Sequence, residues 1–195
     1  DWNREKIVQL ARFDPAKGYL DVIKAYLRLR EQANDVSPQL ILAGVCAHDD
    51  PQSEEILRQI NELVSSSPFA EDIKVIPLPF VDQLMNVLAD EADMILQLSY
   101  SEGFEVKVSE CMLKKKPVLA YETGGLSLQV VHGKTGILVQ TGAWEEVAEY
   151  LIHLMRDSTL RELLGERAGR EVPFAYFTPA NARFWYMLAG EFTHH

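Results

Sequence analysis

Short runs of nearly unbroken apolar residues recur along this chain, and between them apolar residues fall at helical intervals. The runs are KIVQLAR (6–12), QLILAGV (Gln39–Val45), IKVIPL (Ile73–Leu78), DMILQL (93–98), PVLAY (117–121) and GILVQ (136–140). Runs of this length, apolar on both alternating faces, predict strands covered on two sides, as in a parallel sheet. The first intervening segment, 19–34, carries Leu20, Ile23 and Leu27 with Val22 and Tyr26 on one stripe, which predicts a helix. Further helices are predicted over 53–66 (with Ser53 as N-cap), 81–91, 104–115, 126–132, 143–156, 160–170 and 178–191, with Pro173 and Pro179 separating the last pieces. Six strands alternating with helices predict an α/β fold, a Rossmann-like doubly wound parallel sheet with helices on both faces. Residues 1–192 read as one such domain, and the closing Thr193-His194-His195 reads as the remnant of a tag.

Composition narrows the function. The 195 residues are 47% hydrophobic and 25% charged, with no apolar run near membrane-spanning length and no signal peptide at the start. A formal net charge of −10 argues against general nucleic-acid binding, so a phosphate site would need a local group of cations. Cys46 and Cys111 lie far apart beside apolar residues and read as buried free thiols, which points to a reducing, cytoplasmic setting. His48, Asp49 and Asp50 form a polar loop tip without further ligands at metal-binding spacing, so a hydrogen-bonding loop is expected there. His132 and His153 are expected on helix surfaces, and neither a metal nor a cofactor is expected.

The candidate chemistry gathers in 93–121: a strand, the polar turn 99–103, a helix and a second strand, which together make a βαβ unit. Ligands of such folds sit at the carboxyl ends of the strands, where a helix N-terminus offers free N–H groups to an anion. Glu102 and Glu110 stand there with seven residues between them, a separation of roughly 10 Å on a helix, which suits a sugar with its phosphate. Arg12 and Lys17 follow the first strand and should face the same edge as Glu102, where two cations could clamp a phosphate. The alternatives are solvated surface charges at Arg12 and Lys17, a helix-dipole role for Glu102 and a surface position for Glu110. Glu105 and Lys107 fall in the helix's first turn, where Glu105 would repel a docked phosphate and Lys107 could offset that repulsion, bind the phosphate or face solvent. Gly124 and Gly125 read either as a close backbone approach or as N–H donors to a ligand.

Three segments carry a resemblance: ARFDPAKG (11–18), SEGFEVKVSE (101–110) and TGG (123–125). In that order and at those intervals they resemble the C-terminal, donor-binding domain of retaining glycosyltransferases of the GT-B fold. LILAGVCAHDDPQ (40–52) and GGLSLQVVHGKTGILV (124–139) are similar to the trehalose-handling branch, its trehalose synthases and fungal trehalose phosphorylases. Most family members have glycine where this chain has Glu105, and EGFEVKVSE resembles the fungal phosphorylase version, whose donor is α-glucose 1-phosphate. The resemblance implies trehalose plus phosphate exchanging with α-glucose 1-phosphate plus glucose, or alternatively a trehalose synthase using a nucleotide-glucose donor. A non-catalytic interaction domain on the same fold is the other reading. It further implies Arg12 and Lys17 on the phosphate, Glu102 on glucose hydroxyls, and N–H groups near Gly103 and Phe104 on the sugar or phosphate. Glu110 would serve the sugar, Lys107 or the fold. Acceptor-side residues would come from an N-terminal domain outside these 195 residues, so this piece alone should bind weakly and not turn over. The last helix, with Phe184, Trp185, Met187 and Leu188 on one face, would invite that partner or self-association.

Overall fold

The computed structural model describes residues 3–46, 51–79 and 81–192. Six parallel strands form one sheet: β1 (Lys6–Leu10), β2 (Gln39–Val45), β3 (Ile73–Leu78), β4 (Met94–Gln97), β5 (Val118–Tyr121) and β6 (Gly136–Val139). The helices are α1 (Tyr19–Gln32), α2 (Pro51–Ser65), α3 (Asp82–Glu91), α4 (Val106–Leu113), α5 (Leu126–Gln129), α6 (Trp144–Arg156), α7 (Ser158–Glu171) and α8 (Thr178–Phe192). Strand order is β3-β2-β1-β4-β5-β6, so the direction of winding reverses between β1 and β4, and ligands of such sheets bind at that reversal.

Every residue of β1, β2, β4 and β5 is buried, as expected for strands covered on both faces. Alternate positions feed two cores. Ile7, Leu40, Leu42, Met94, Leu96 and Leu119 pack with α1, α2 and α6 on one face. Val8, Ile41, Ala43, Ile95, Val118 and Ala120 pack with α3, α4, α5 and α7 on the other. The doubly wound α/β fold read from the apolar pattern is therefore the fold observed. Among the described residues, no helix is long and apolar enough to cross a membrane.

Several boundaries differ from the sequence expectation. β1 ends at Leu10, although Ala11 and Phe13 still donate backbone hydrogen bonds to Ala43 and Val45 at 3.1 Å. Helix α2 starts at Pro51, so Ser53 lies inside it, buried, and its hydroxyl donates to the Phe13 carbonyl at 2.7 Å instead of capping. Helix α5 stops at Gln129; His132 is exposed beyond it, in a bridge to Gly136, and accepts the Leu138 N–H at 3.1 Å. His153 does lie on the exposed face of α6. Both cysteines are free, Cys111 buried and Cys46 only half-buried. Along α8, Phe184, Trp185, Tyr186 and Met187 are exposed and Leu188 is half-buried. His48, Asp49, Asp50 and Thr193-His194-His195 lie outside the described residues.

Glycine fixes the spacing of the central strands at one point. A Cβ on Gly44 would stand 1.5 Å from the Ala11 carbonyl oxygen, a backbone atom that cannot step aside. Gly44→Ala is therefore expected to destabilise the fold by about 3 kcal/mol, lowering the melting temperature by on the order of 10 °C. Thermal unfolding followed by circular dichroism checks this, and an unchanged midpoint would refute the close approach.

Candidate functional site

The site is assembled at the carboxyl edge, across the β1–β4 reversal. On the β1 side, Asp14 caps a one-turn 3-10 helix (Pro15–Lys17) by accepting the Ala16 N–H at 2.8 Å, with proline at its start. Gly18 closes that turn in the left-handed region, and a Cβ there would lie 1.9 Å from the Leu98 carbonyl oxygen. The turn thus sits directly on the end of β4. Buried Gln9 ties the halves together, donating to the Lys17 carbonyl at 2.8 Å and accepting the Leu98 N–H at 3.4 Å. The Tyr100 N–H adds a bond to the Ala16 carbonyl at 2.8 Å.

On the β4 side, the turn bearing Glu102 is held from beneath. The Gly125 N–H donates to the Glu102 carbonyl at 3.0 Å. A Cβ on Gly124 would lie 1.8 Å from that same carbonyl oxygen, and one on Gly125 2.0 Å from the Gly103 oxygen. Close approach is therefore the role seen for both glycines, and the Gly125 N–H is already used within the protein. Gln129, 3% exposed, grips the next residue at both backbone groups: it accepts the Glu105 N–H at 3.1 Å and donates to the Glu105 carbonyl at 2.8 Å. The same amide nitrogen donates to the Ser109 hydroxyl at 2.7 Å.

Three charged side chains meet between these walls. The Lys17 ammonium donates to Glu102 Oε2, and to Glu105 Oε2 at 3.1 Å. Their side chains are only 11%, 12% and 15% exposed, so the interaction is poorly screened by solvent. Burial alone would lower the Lys17 pKa, but the hydrogen bond to Glu102 and the charge of Glu105 outweigh it and hold the ammonium above its usual range. For Glu105, burial dominates and raises the carboxyl above the ordinary glutamate range; Lys17 opposes the rise and Glu102 adds to it.

Glu105 is not in the first turn of the helix, as its sequence position implied. Helix α4 begins at Val106, and Glu105 is its N-cap, with Oε1 accepting the Lys107 N–H at 3.3 Å. The Lys107 ammonium pairs with Glu110 at 2.9 Å. The two glutamates of the spaced pair therefore face different cations. Arg12 leaves the same edge but is 65% exposed, with a loose 3.4 Å contact to Asp14. Gly103 has open space where a side chain would be. Phe104 is exposed and meets the Tyr176 ring edge-on at 5.0 Å between centroids.

Sequence reading missed Asp21. Buried in the first turn of α1, it accepts the Tyr100 hydroxyl at 2.6 Å, the Tyr121 hydroxyl at 2.8 Å and the Lys24 ammonium at 3.1 Å, so it anchors the turn that carries Glu102. Its position in a helix's first turn was readable only as a dipole partner. A mostly apolar cavity of about 330 Å³ lies alongside, lined in part by Gly18, Tyr19, Ile56 and Tyr100. Among the described residues, no three histidine, cysteine or acidic side chains gather as metal ligands would.

A family profile described as "Glycosyl transferases group 1" matches residues 1–171. The chain belongs to this family. Among group 1 glycosyl transferases, it is 43% identical over 193 residues to a trehalose phosphorylase of Grifola frondosa, covering 95% of this chain and 26% of that relative. It is 39% identical over 178 residues to a trehalose synthase of Thermococcus litoralis, covering 88% of this chain and 40% of the relative. The chain thus spans about a quarter of the fungal relative's length. In fold it is similar to a sucrose-phosphate synthase of Thermosynechococcus elongatus, with a TM-score of 0.85 at 21% identity, covering 100% of this chain and 47% of that one. Anabaena HepE, solved in complex with UDP-glucose, gives 0.75 at 22% identity over 86% of this chain and 43% of its own.

The charge triad makes a proton-level prediction for this group 1 glycosyl transferase chain. Lys17, through its charge and its hydrogen bond, lowers the Glu105 pKa more than the Lys107 N–H does, so Lys17→Met should drive that pKa further up. A carbon-detected NMR titration of the glutamate side chains reads the change, and an unmoved Glu105 midpoint would mean that the ion pair does not form in solution.

Proposed function

We propose that this chain is the donor-binding domain of a retaining glucosyltransferase that acts on trehalose, exchanging trehalose and phosphate with α-glucose 1-phosphate and glucose. The observation that carries the reading is the Lys17–Glu102 contact across the strand reversal, which brings into one crevice a cation able to hold a phosphate and a carboxylate able to accept sugar hydroxyls. The 43% identity to a trehalose phosphorylase supports the substrate class.

In this reading the donor's phosphate sits between Arg12 and Lys17, while Glu102 accepts hydrogen bonds from glucose hydroxyls. Backbone N–H groups of Gly103 and Phe104 face the sugar or its phosphate. Glu110 and Lys107 form a neighbouring pair that steadies α4, and Gly124 and Gly125 set the height of the Glu102 turn. During transfer, the acceptor oxygen bonds to the anomeric carbon while the bond from that carbon to the phosphate oxygen breaks. The departing phosphate takes the acceptor's proton, and Arg12 and Lys17 stabilise its developing charge. The acceptor-side residues belong to an N-terminal domain of the same protein, and the location is the cytoplasm, which two unpaired cysteines support.

A second reading, a trehalose synthase working from a nucleotide-glucose donor, is favoured by the 39% identity to the archaeal trehalose synthase. Calorimetric titration of the full-length protein with α-glucose 1-phosphate and with UDP-, ADP- and GDP-glucose separates the two, and binding by none of them would remove both. Because Arg12 is exposed and only loosely paired, Arg12→Ala should weaken donor binding about tenfold through one lost charge-assisted contact, with the melting temperature unchanged. An unaltered affinity would take Arg12 out of the site.

A further inference from the structure

The N-terminus of α4 and the ammonium of Lys17 are the two groups in this crevice that an incoming phosphate would recruit first. Both are already engaged by one side chain. Glu105 Oε1 accepts the Lys107 N–H at 3.3 Å, and Oε2 accepts from Lys17 at 3.1 Å. We propose that Glu105 sets the donor class: its carboxylate holds the place that a second phosphate would take, so the site admits a glucose bearing one phosphate and turns away a glucose bearing a nucleoside diphosphate. This inference rests on the sugar-transfer reading above.

The carboxylate is held by its surroundings. Gln129 fixes the N–H and the carbonyl of Glu105 at 3.1 and 2.8 Å, and is itself buried against Ser109. The Glu105 side chain is 15% exposed, so moving it aside means breaking the cap on α4 and the contact with Lys17 together. An anion at that helix end would also meet Glu102, which shares the same ammonium. Two carboxylates in a poorly solvated corner repel a third negative group far more than exposed ones would.

A single phosphate between Arg12 and Lys17 can leave Glu105 in place, because Arg12 on the β1 side is 65% exposed, with only a 3.4 Å contact to Asp14 to give up. Space is open around Gly103, so the glucose ring can approach Glu102 without entering the corner that Glu105 fills. The same corner would have to hold the additional phosphate of a nucleotide sugar, so the discrimination falls between one phosphate and two.

Titration calorimetry of the full-length protein that contains this chain, as wild type, Glu105→Gly and Glu105→Gln, each with α-glucose 1-phosphate and with UDP-glucose, tests the proposal. The ratio of the two affinities is the readout, since freeing Lys17 can strengthen both. The wild type is expected to favour α-glucose 1-phosphate. Glu105→Gly should move the ratio toward UDP-glucose by about tenfold or more, and Glu105→Gln, which keeps the size and loses the charge, should move it part of the way. Melting curves accompany each protein, and if Glu105→Gly fails to fold, Glu105→Gln carries the result. A ratio unchanged in the folded variants, or a wild type that already prefers UDP-glucose, overturns the role of Glu105 while leaving sugar transfer in place. Binding of neither sugar by any of the three proteins removes the sugar-transfer reading and this inference together.

Discussion

An ammonium nearly withdrawn from water must be matched by negative charge, and much of this crevice follows from satisfying Lys17. Its side chain is 11% exposed and touches two carboxylates that are almost as enclosed. Desolvating such a group costs several kcal/mol unless its partners are well placed, so the backbone on both sides must be positioned within tenths of an ångström. Strand order does the coarse part of this work. By setting β1 beside β4, it brings residues 85 and 88 positions apart to one edge.

The fine part falls to groups that carry no charge. Gly18, Gly124 and Gly125 let carbonyl oxygens come where a Cβ would otherwise stand. Gln9 spans the two walls, using both ends of its amide on the Lys17 carbonyl and the Leu98 N–H, and Gln129 uses both ends of its amide on the main chain of Glu105. Asp21 draws Tyr100 and Tyr121 together below the lip. These buried polar groups are all satisfied: among the described residues, no buried side-chain nitrogen or oxygen lacks a partner. A fully paired network of this kind rigidifies a site, whereas a partly paired one would weaken it.

The apolar runs made the sheet legible because a doubly covered strand has no other way to be written. The shared edge of Lys17 and Glu102 was legible too, since parallel strands place all their carboxyl ends together. What escaped were pairings decided by side-chain reach. Spacing left open which cation each glutamate would take: Lys107 pairs with Glu110 three residues on, and Glu105 takes Lys17 from across the crevice. The start of α4 was misplaced for a related reason. A capping glutamate reads in sequence like a first-turn glutamate, and only its extended φ of −100° and ψ of 98° separates the two. Asp21, joined to partners 79 and 100 residues away, left no local pattern at all.

Under the proposed donor-binding role, charge balance would set how a donor is recognised here. When all are ionised, Arg12 and Lys17 face Glu102, Glu105 and Asp14, two cations against three carboxylates, which leaves the empty crevice at a formal −1. The chain as a whole carries −10. Neither field would draw an anion from a distance, so electrostatic steering contributes little to encounter. On that reading recognition would come at contact range, where a phosphate would exchange with carboxylates for cations already in place. Such an exchange rewards the geometry of the anion more than its total charge, because each added negative group meets a carboxylate before it meets a free cation. On the proposed reading, a crevice with this balance would suit a compact anion tied to a hydroxyl-rich ring, and its selectivity would reside in the carboxylates as much as in the cations.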